Sequence, residues 1–280
     1  MEFPFFQHKR ETPASLRQKA EELLAQALDE SRETKGRFMS GENRLKRAGF
    51  EGDFRQYRPY NDSDRPQDID WKRSARSDDI LVREREKNQQ RLLDLYIQNH
   101  GGMHFSSSPK LSTKYEISSL LGLTLALWSA RHHNPIRFGS AKTSIDDLAD
   151  VMLAQKQKSS PQWTKDSITV LIGAYTGPMQ DIEQELSSLN SNTVLFMQIL
   201  DPAELELSYE GRHVFEDGHH KITVNQAESM RNDYKSALNA HIKDLKKYCR
   251  RRNSHYQLVR TDQNLASVLN KALAAIGEKR

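Results

Sequence analysis

The sequence has a single cysteine, Cys249, in 280 residues. A lone cysteine forms no intramolecular disulfide, and zinc sites built on cysteine pairs are excluded with it. No apolar run approaches the roughly 18 residues of a membrane span. The longest candidate, Leu120 to Ala130, is short and gives way to Arg131-His132-His133. Neither a Gly-x-x-x-x-Gly-Lys-Ser/Thr loop nor a Gly-x-Gly-x-x-Gly fingerprint is present, so the usual cradles for ATP or dinucleotide phosphates are missing. Ser106-Ser107-Ser108 lacks the Gly-x-Ser-x-Gly turn of a nucleophilic serine and reads as a flexible loop. Met1 to Arg10 put apolar residues before basic ones without a cleavage site, unlike a signal peptide. These absences lead us to expect a soluble cytoplasmic protein that is not an enzyme and carries no cofactor.

What is present is charge. Lys and Arg number 42 against 38 Asp and Glu, a formal net charge of +4. Residues 240–280 alone carry a local +7, so the rest of the chain is slightly acidic. Lys243, Lys246, Lys247, Arg250, Arg251 and Arg252 fall at or just past the end of a long helical pattern, where the helix dipole favours cations. Alternatively they form a patch for phosphates or an acidic partner. Aromatics beyond Tyr248 and Tyr256 do not interleave with them, so a base-stacking platform is not supported. Cys249 inside this run is either an incidental thiol or one whose pKa the neighbouring cations lower.

Thr12-Pro13 opens a helix in which Leu16, Ala20, Leu23, Leu24, Ala27 and Leu28 share one face, so it should dock on something and end before Gly36. From residue 91 strands and helices alternate. The pattern predicts strands at 92–98, 136–138, 167–174, 193–200 and 256–260. It predicts helices at 116–132, 144–155, from 177–178 to about 189, at 226–251, and from an Asp262 cap to about 275. Residues 205–224 read as short strands and turns. The fold class is therefore α/β with a mostly parallel sheet flanked by helices. His132-His133 sits where it can cap its helix, and His219-His220 after Asp217-Gly218 reads as a turn. His100 and His104 are spaced like ligands on a helix, yet Gly101-Gly102 between them favours a loop.

Residues 36–90 differ from both flanks. Arginines and acids interleave there with Tyr57, Tyr60 and Trp71, and aliphatic residues are few. Bidentate Arg–carboxylate pairs and arginines stacked on aromatic rings could order such a segment; a solvated charged loop is the alternative. The run Phe54-Arg55-x-Tyr57-Arg58-x-Tyr60, Asp64, Ile69-Asp70-Trp71-Lys72-x-Ser74-Ala75-Arg76 and Val82-Arg83-Glu84 resembles the bacterial domain-of-unknown-function family fifty-eight. A second segment, Gln198 to Leu207 with Gly211 and Phe215-Glu216-Asp217, is similar to that family too. The usual Gly-Asp turn of the family reads Ser63-Asp64 here, and its following Arg reads Gln67.

The resemblance implies a von Willebrand factor A-like (Rossmann-like) fold and a partnership with a MoxR-type AAA+ ATPase. It divides the chain into a helical arm (1–40), a signature segment (41–90) packed on the main domain, and the A-like domain (91–280). It implies that Arg55, Tyr57, Arg58, Tyr60, Asp64, Asp70, Trp71, Lys72, Ser74, Arg76, Arg83 and Glu84 order the fold or bind the partner, with Trp71 as the buried anchor. An A-type domain holds Mg²⁺ or Mn²⁺ on Asp-x-Ser-x-Ser after its first strand and on an Asp after a later one. Here Gln98, His100 and Gly102 stand at the first three positions and Ala174 at the other, a poor set for a hard cation. The expected function is a non-enzymatic adaptor or co-chaperone without a metal. One alternative is a cation-dependent binding domain rebuilt on Asp146, Asp147 and Asp181; another is a nucleic-acid module using residues 243–252.

Overall fold

The computed structural model describes residues 11–38, 54–61, 64, 66–77, 79–85, 91–139, 141–154, 167–187, 193–216 and 221–277. The chain forms two compact units, one made of residues 1–35 with 91–280 and the other of residues 36–90. In chain order the elements are α1 (Pro13–Phe38), β1 (Phe54–Pro59), α2 (Trp71–Ser74), β2 (Leu81–Arg85), β3 (Leu93–Ile97), α3 (Lys114–Arg131), β4 (Ile136–Phe138) and β5 (Ala141–Lys142). Next come α4 (Ile145–Leu153), β6 (Ile168–Gly173), α5 (Met179–Glu185), β7 (Thr193–Leu200), α6 (Pro202–Glu206), β8 (His213–Glu216) and β9 (Lys221–Val224). The last are α7 (Ala227–Arg251), β10 (His255–Arg260) and α8 (Leu265–Gly277).

The larger unit is built on a six-stranded sheet of order β10-β7-β6-β3-β4-β5. All neighbours pair in parallel except β4 and β5. Each strand sends alternate residues to opposite faces. Leu93, Leu95, Ile97, Val170, Ile172, Leu195, Met197, Ile199 and Val259 join one core with residues of α1, α3, α4 and α8. Leu171, Val194 and Phe196 join a second core with Ile182 of α5 and Leu245, Tyr248 and Cys249 of α7. All six residues of β6 are buried, as expected of a central strand covered on both faces. Helix α3 lies so close to β3 that a Cβ on Gly122 would meet Leu95 Cδ2 at 3.1 Å. Among the described residues no helix is long and apolar enough to cross a membrane.

The expected apolar face of α1 is the face that is buried: Leu16, Ala20, Leu24 and Ala27 are fully enclosed. Thr12 Oγ1 accepts the Ser15 amide at its start, and Asn270 on α8 donates to Glu30 at 3.2 Å. The helix continues through Gly36 to Phe38 and does not stop before the glycine. The Ser144 cap is realised, its Oγ accepting the Asp147 amide at 3.1 Å. The cap of α8 is Asn264, whose Oδ1 accepts the Ala266 amide at 2.8 Å. Asp262, expected there, is held by Arg260 instead. His132 caps α3 by donating from Nδ1 to the Trp128 carbonyl at 2.7 Å. The predicted ends of α4 at 155 and α5 at 189, Ser63 and His219-His220 lie outside the described residues.

The smaller unit is an antiparallel hairpin of β1 and β2 with a register shift between Phe54 and Gln56. Because α1 buries several large side chains, it behaves as part of the core and not as an appendage. Leu24→Ala is expected to lower the unfolding free energy by about 2–5 kcal/mol in urea denaturation, the usual range for a fully buried leucine.

Candidate functional site

The order of the strands selects the site. The chain lays down β3, β4 and β5 towards one edge, then crosses back to place β6 on the other side of β3. Ligands of open α/β sheets bind outside the carboxyl ends of the strands at such a reversal. Gln98 follows β3 there, and Ala174 and Tyr175 follow β6.

A hydrogen-bonded cap built on two glutamine amides closes over this crevice. Gln98 lays its amide over Gly173, where a Cβ would sit 2.4 Å from Oε1. That oxygen accepts the Tyr175 amide at 3.1 Å. Gln198, fully buried on β7, donates from Nε2 to the Ala174 carbonyl at 2.9 Å and accepts the Tyr256 hydroxyl at 2.5 Å. His241 of α7 donates from Nε2 to the Tyr175 carbonyl at 2.7 Å. Tyr175 adopts φ 46, a left-handed conformation rare for a bulky residue. Its backbone is fixed on both sides by Gln98 and His241, which is how such a conformation persists.

Of the four positions the resemblance assigns to a lost metal site, Gln98 and Ala174 meet in this cap. His100 and Gly102 sit beside each other in the next turn, where a Cβ on Gly102 would lie 3.2 Å from the His100 ring. His104 belongs to the 3-10 turn Gly101–His104, 3.0 Å from Asn99 Oδ1 and with its ring centre 5.2 Å from that of Tyr115 at a tilt of 37°. Burial pulls its imidazole below the ordinary pKa. Asp146, Asp147 and Asp181 do not converge. Asp146 pairs with Arg17 at 2.5 Å, Asp147 accepts from Ser144 at 2.6 Å, and Asp181 lies exposed at the start of α5. Among the described residues, no three His, Cys, Asp or Glu side chains cluster as metal ligands.

Beside the cap, Asp201 closes the carboxyl end of β7. It accepts the Ser107 amide at 3.1 Å and the Ala203 amide at 2.8 Å, and lies 3.5 Å from the Thr261 hydroxyl. Glu204 completes the α6 cap and pairs with Lys114, whose side chain is buried. Ser106 Oγ sits 2.8 Å and 3.0 Å from the carbonyls of Ser108 and Leu111, so the serine run forms a hydrogen-bonded turn.

Below the cap on the α5–α7 face lies a cluster of hydroxyls. Burial and then the nearby Glu185 push Tyr96 up to about 12. Burial also raises the Glu185 carboxyl, while its bond with Tyr96 opposes the shift. Burial also raises the Tyr175 hydroxyl well above the ordinary tyrosine value. Burial pushes the Cys249 thiol up to about 12, which corrects the option of a cation-activated thiol.

The signature residues organise the smaller unit. Arg58 grips Asp64 with two nitrogens at 2.6 and 2.5 Å, holding that carboxyl down at about 2. Tyr57 donates to Asp70 at 3.1 Å, and the Arg73 guanidinium lies 4.3 Å from the Tyr57 ring centre. Asp70 caps α2, and Ser74 Oγ donates to the Asp70 carbonyl while accepting the Leu81 amide, both at 2.9 Å. The Tyr60 amide donates to the Ile80 carbonyl. Arg55 lies in β1, and Arg83 and Glu84 oppose Tyr57 and Gln56 on β2; their side chains lie outside the described residues.

Trp71, expected as the buried anchor, is 63 % exposed, as the first residue of a helix too short to bury it. Val82 is buried in its place, and Lys72 and Arg76 are exposed. Sequence reasoning missed Tyr175, His241, Lys114 and the role of Gln198. Only Gln198, a polar residue inside an apolar strand, carried a signal.

Residues 56–143 match the family model described as Protein of unknown function DUF58. The match runs from β1 through β5 and covers less than half of the chain, supporting a DUF58-family domain in that stretch. No curated protein and no solved structure matches the chain.

Gln98→Leu keeps the volume but strands the Tyr175 amide, and should cost about 1–3 kcal/mol in urea denaturation. Glu185 gives a pH signature. Its folded pKa is raised, so its contribution is fully present below the unfolded carboxylate pKa and is lost as pH rises through the folded value. Thermal melts across that window should show wild type losing stability relative to Glu185→Gln as pH increases.

Proposed function

We propose that this chain is a von Willebrand factor A-like interaction module of the cytoplasm, serving as adaptor or co-chaperone for a MoxR-type AAA+ ATPase. The ATPase supplies the energy, and this chain contributes recognition without a metal. The reading is supported by the DUF58 match over residues 56–143 and by the doubly wound sheet. The neutral closure of the crevice also supports it, because the one oxygen Gln98 offers is engaged by Tyr175.

The observation that carries the proposal is the surface of the smaller unit. Ion pairs and caps hold its hairpin while Trp71 stays 63 % exposed beside the exposed Lys72, Arg73 and Arg76. An indole and arginines displayed on an ordered support are the side chains that most often dominate protein interfaces. Unlike Arg73, which stacks on Tyr57, the side chains of Trp71, Lys72 and Arg76 stand exposed, and recognition is the role we assign them.

Affinity purification of the tagged chain from its native cell, with and without ATP, followed by mass spectrometry, tests this. Wild type should retain a MoxR-type ATPase in a nucleotide-dependent manner. Trp71→Ala should reduce its recovery about tenfold while stability shifts by no more than about 0.5 kcal/mol, as for an exposed position. Retention unchanged by Trp71→Ala, or no ATPase recovered by wild type, would contradict the proposal.

A further inference from the structure

Strand β10 ends the six-stranded sheet, and no described strand pairs with its outer edge. An unpaired edge is a template for a further strand unless the protein blunts it with proline, bulges or charge. β10 carries none of these before its last residue. Its sequence is His255-Tyr256-Gln257-Leu258-Val259-Arg260, and its six residues pair with β7 in unbroken register. Helices α7 and α8 pack against this strand: Lys246 of α7 lies over Tyr256, and Gln257 donates to the Val268 carbonyl of α8.

The side chains of α7 divide its two flanks. His241 bonds the Tyr175 carbonyl, and Arg252 bonds the carbonyls of Leu186 and Ser187 at the end of α5, so these mark the flank turned inward along the sheet. Lys246 marks the flank turned to the edge strand, with its ammonium 5.6 Å from the Tyr256 ring centre. Lys243 and Arg250, three residues before and four after, share that helical face. All three are exposed, and none pairs with an acid among the described residues. The flank of α7 next to β10 thus carries Lys246, with Lys243 and Arg250 beside it on the exposed side of the helix.

We propose that the outer edge of β10 docks an extended acidic segment of a partner protein, which joins the sheet as an added strand. Backbone pairing would supply the affinity, and alternate acidic side chains would meet Lys243, Lys246 and Arg250. A second copy of the chain is disfavoured, because pairing two β10 edges would bring the two cationic rows together. The residues involved do not include Trp71, and the proposal stands whether or not an ATPase is the partner at Trp71.

The test uses the full chain and fluorescein-labelled peptides of alternating Val and Glu. Anisotropy should detect binding, and hydrogen exchange should show new protection at 255–260. The doubly substituted Lys246→Glu/Arg250→Glu protein, with unchanged melting temperature, should bind about tenfold more weakly, as when interface charges are reversed. N-methylation of alternate peptide amides should cost about the same factor, because it removes the strand-forming donors. Equal binding of the N-methylated peptide or of a Val-Thr peptide would overturn the proposal. So would protection elsewhere in the chain, tighter binding of a mixed-sequence DNA duplex, or self-association strengthened by the charge reversal.

Discussion

The structure depends on one constraint: strands laid down far apart in sequence must lie side by side, and the gap above their ends must be closed. β3 and β6 become neighbours across the reversal of strand order, and the Gln98 amide accepts the Tyr175 N–H across 77 residues. Gln198 and His241 grip the same short stretch from β7 and α7. The central strand, both cores and the carboxyl-end loops all converge on that point. Position 98 is half-buried, and the three backbone groups of residues 174 and 175 beside it already have side-chain partners in Gln98, Gln198 and His241. The chemistry of the crevice thus follows from how its polar groups are satisfied.

The two faces of the sheet are built differently. The face under α1, α3, α4 and α8 is mainly aliphatic, although α3 also buries the hydroxyls of Ser119 and Ser129. The face under α5 and α7 mixes aromatic rings with Cys249 and partly satisfied hydroxyls. Aliphatic packing sets the stability of the larger unit, whereas the hydroxyl face couples to the cap through Tyr256 and Tyr175. The smaller unit uses a third solution. With few aliphatic residues available, paired charges, a helix cap and a stacked guanidinium fix the hairpin, and the leftover Arg, Lys and Trp side chains face solvent. The recognition surfaces we propose, the indole of Trp71 and the outer edge of β10, are not the places where packing and ion pairs hold each of the two units together internally.

The architecture was legible because its signals are local. β4 and β7 fall where the alternation of apolar runs put them, and Ser144 caps as its spacing implies. Helix α6 was missed because Asp201-Pro202 reads equally as a strand stop and as an N-cap followed by proline at the first turn. The end of α1 was misplaced because a glycine weakens a helix without having to terminate it. The site was half legible. Gln98 and Ala174 stood out as substitutions at expected metal positions, but nothing local tells that Gln98 would reach Tyr175. Trp71 was misjudged because composition reveals that an indole is present, not which side of a four-residue helix it occupies.

Titration with Mn²⁺, followed calorimetrically and by anomalous diffraction from soaked crystals, tests the central claim of a neutral, self-satisfied crevice most directly. The account predicts no binding tighter than about millimolar, below the affinity of a dedicated carboxylate site. It also predicts no anomalous peak between the ends of β3 and β6, with Gln98 still on the Tyr175 amide. A micromolar site with Gln98 displaced towards the ion would contradict it.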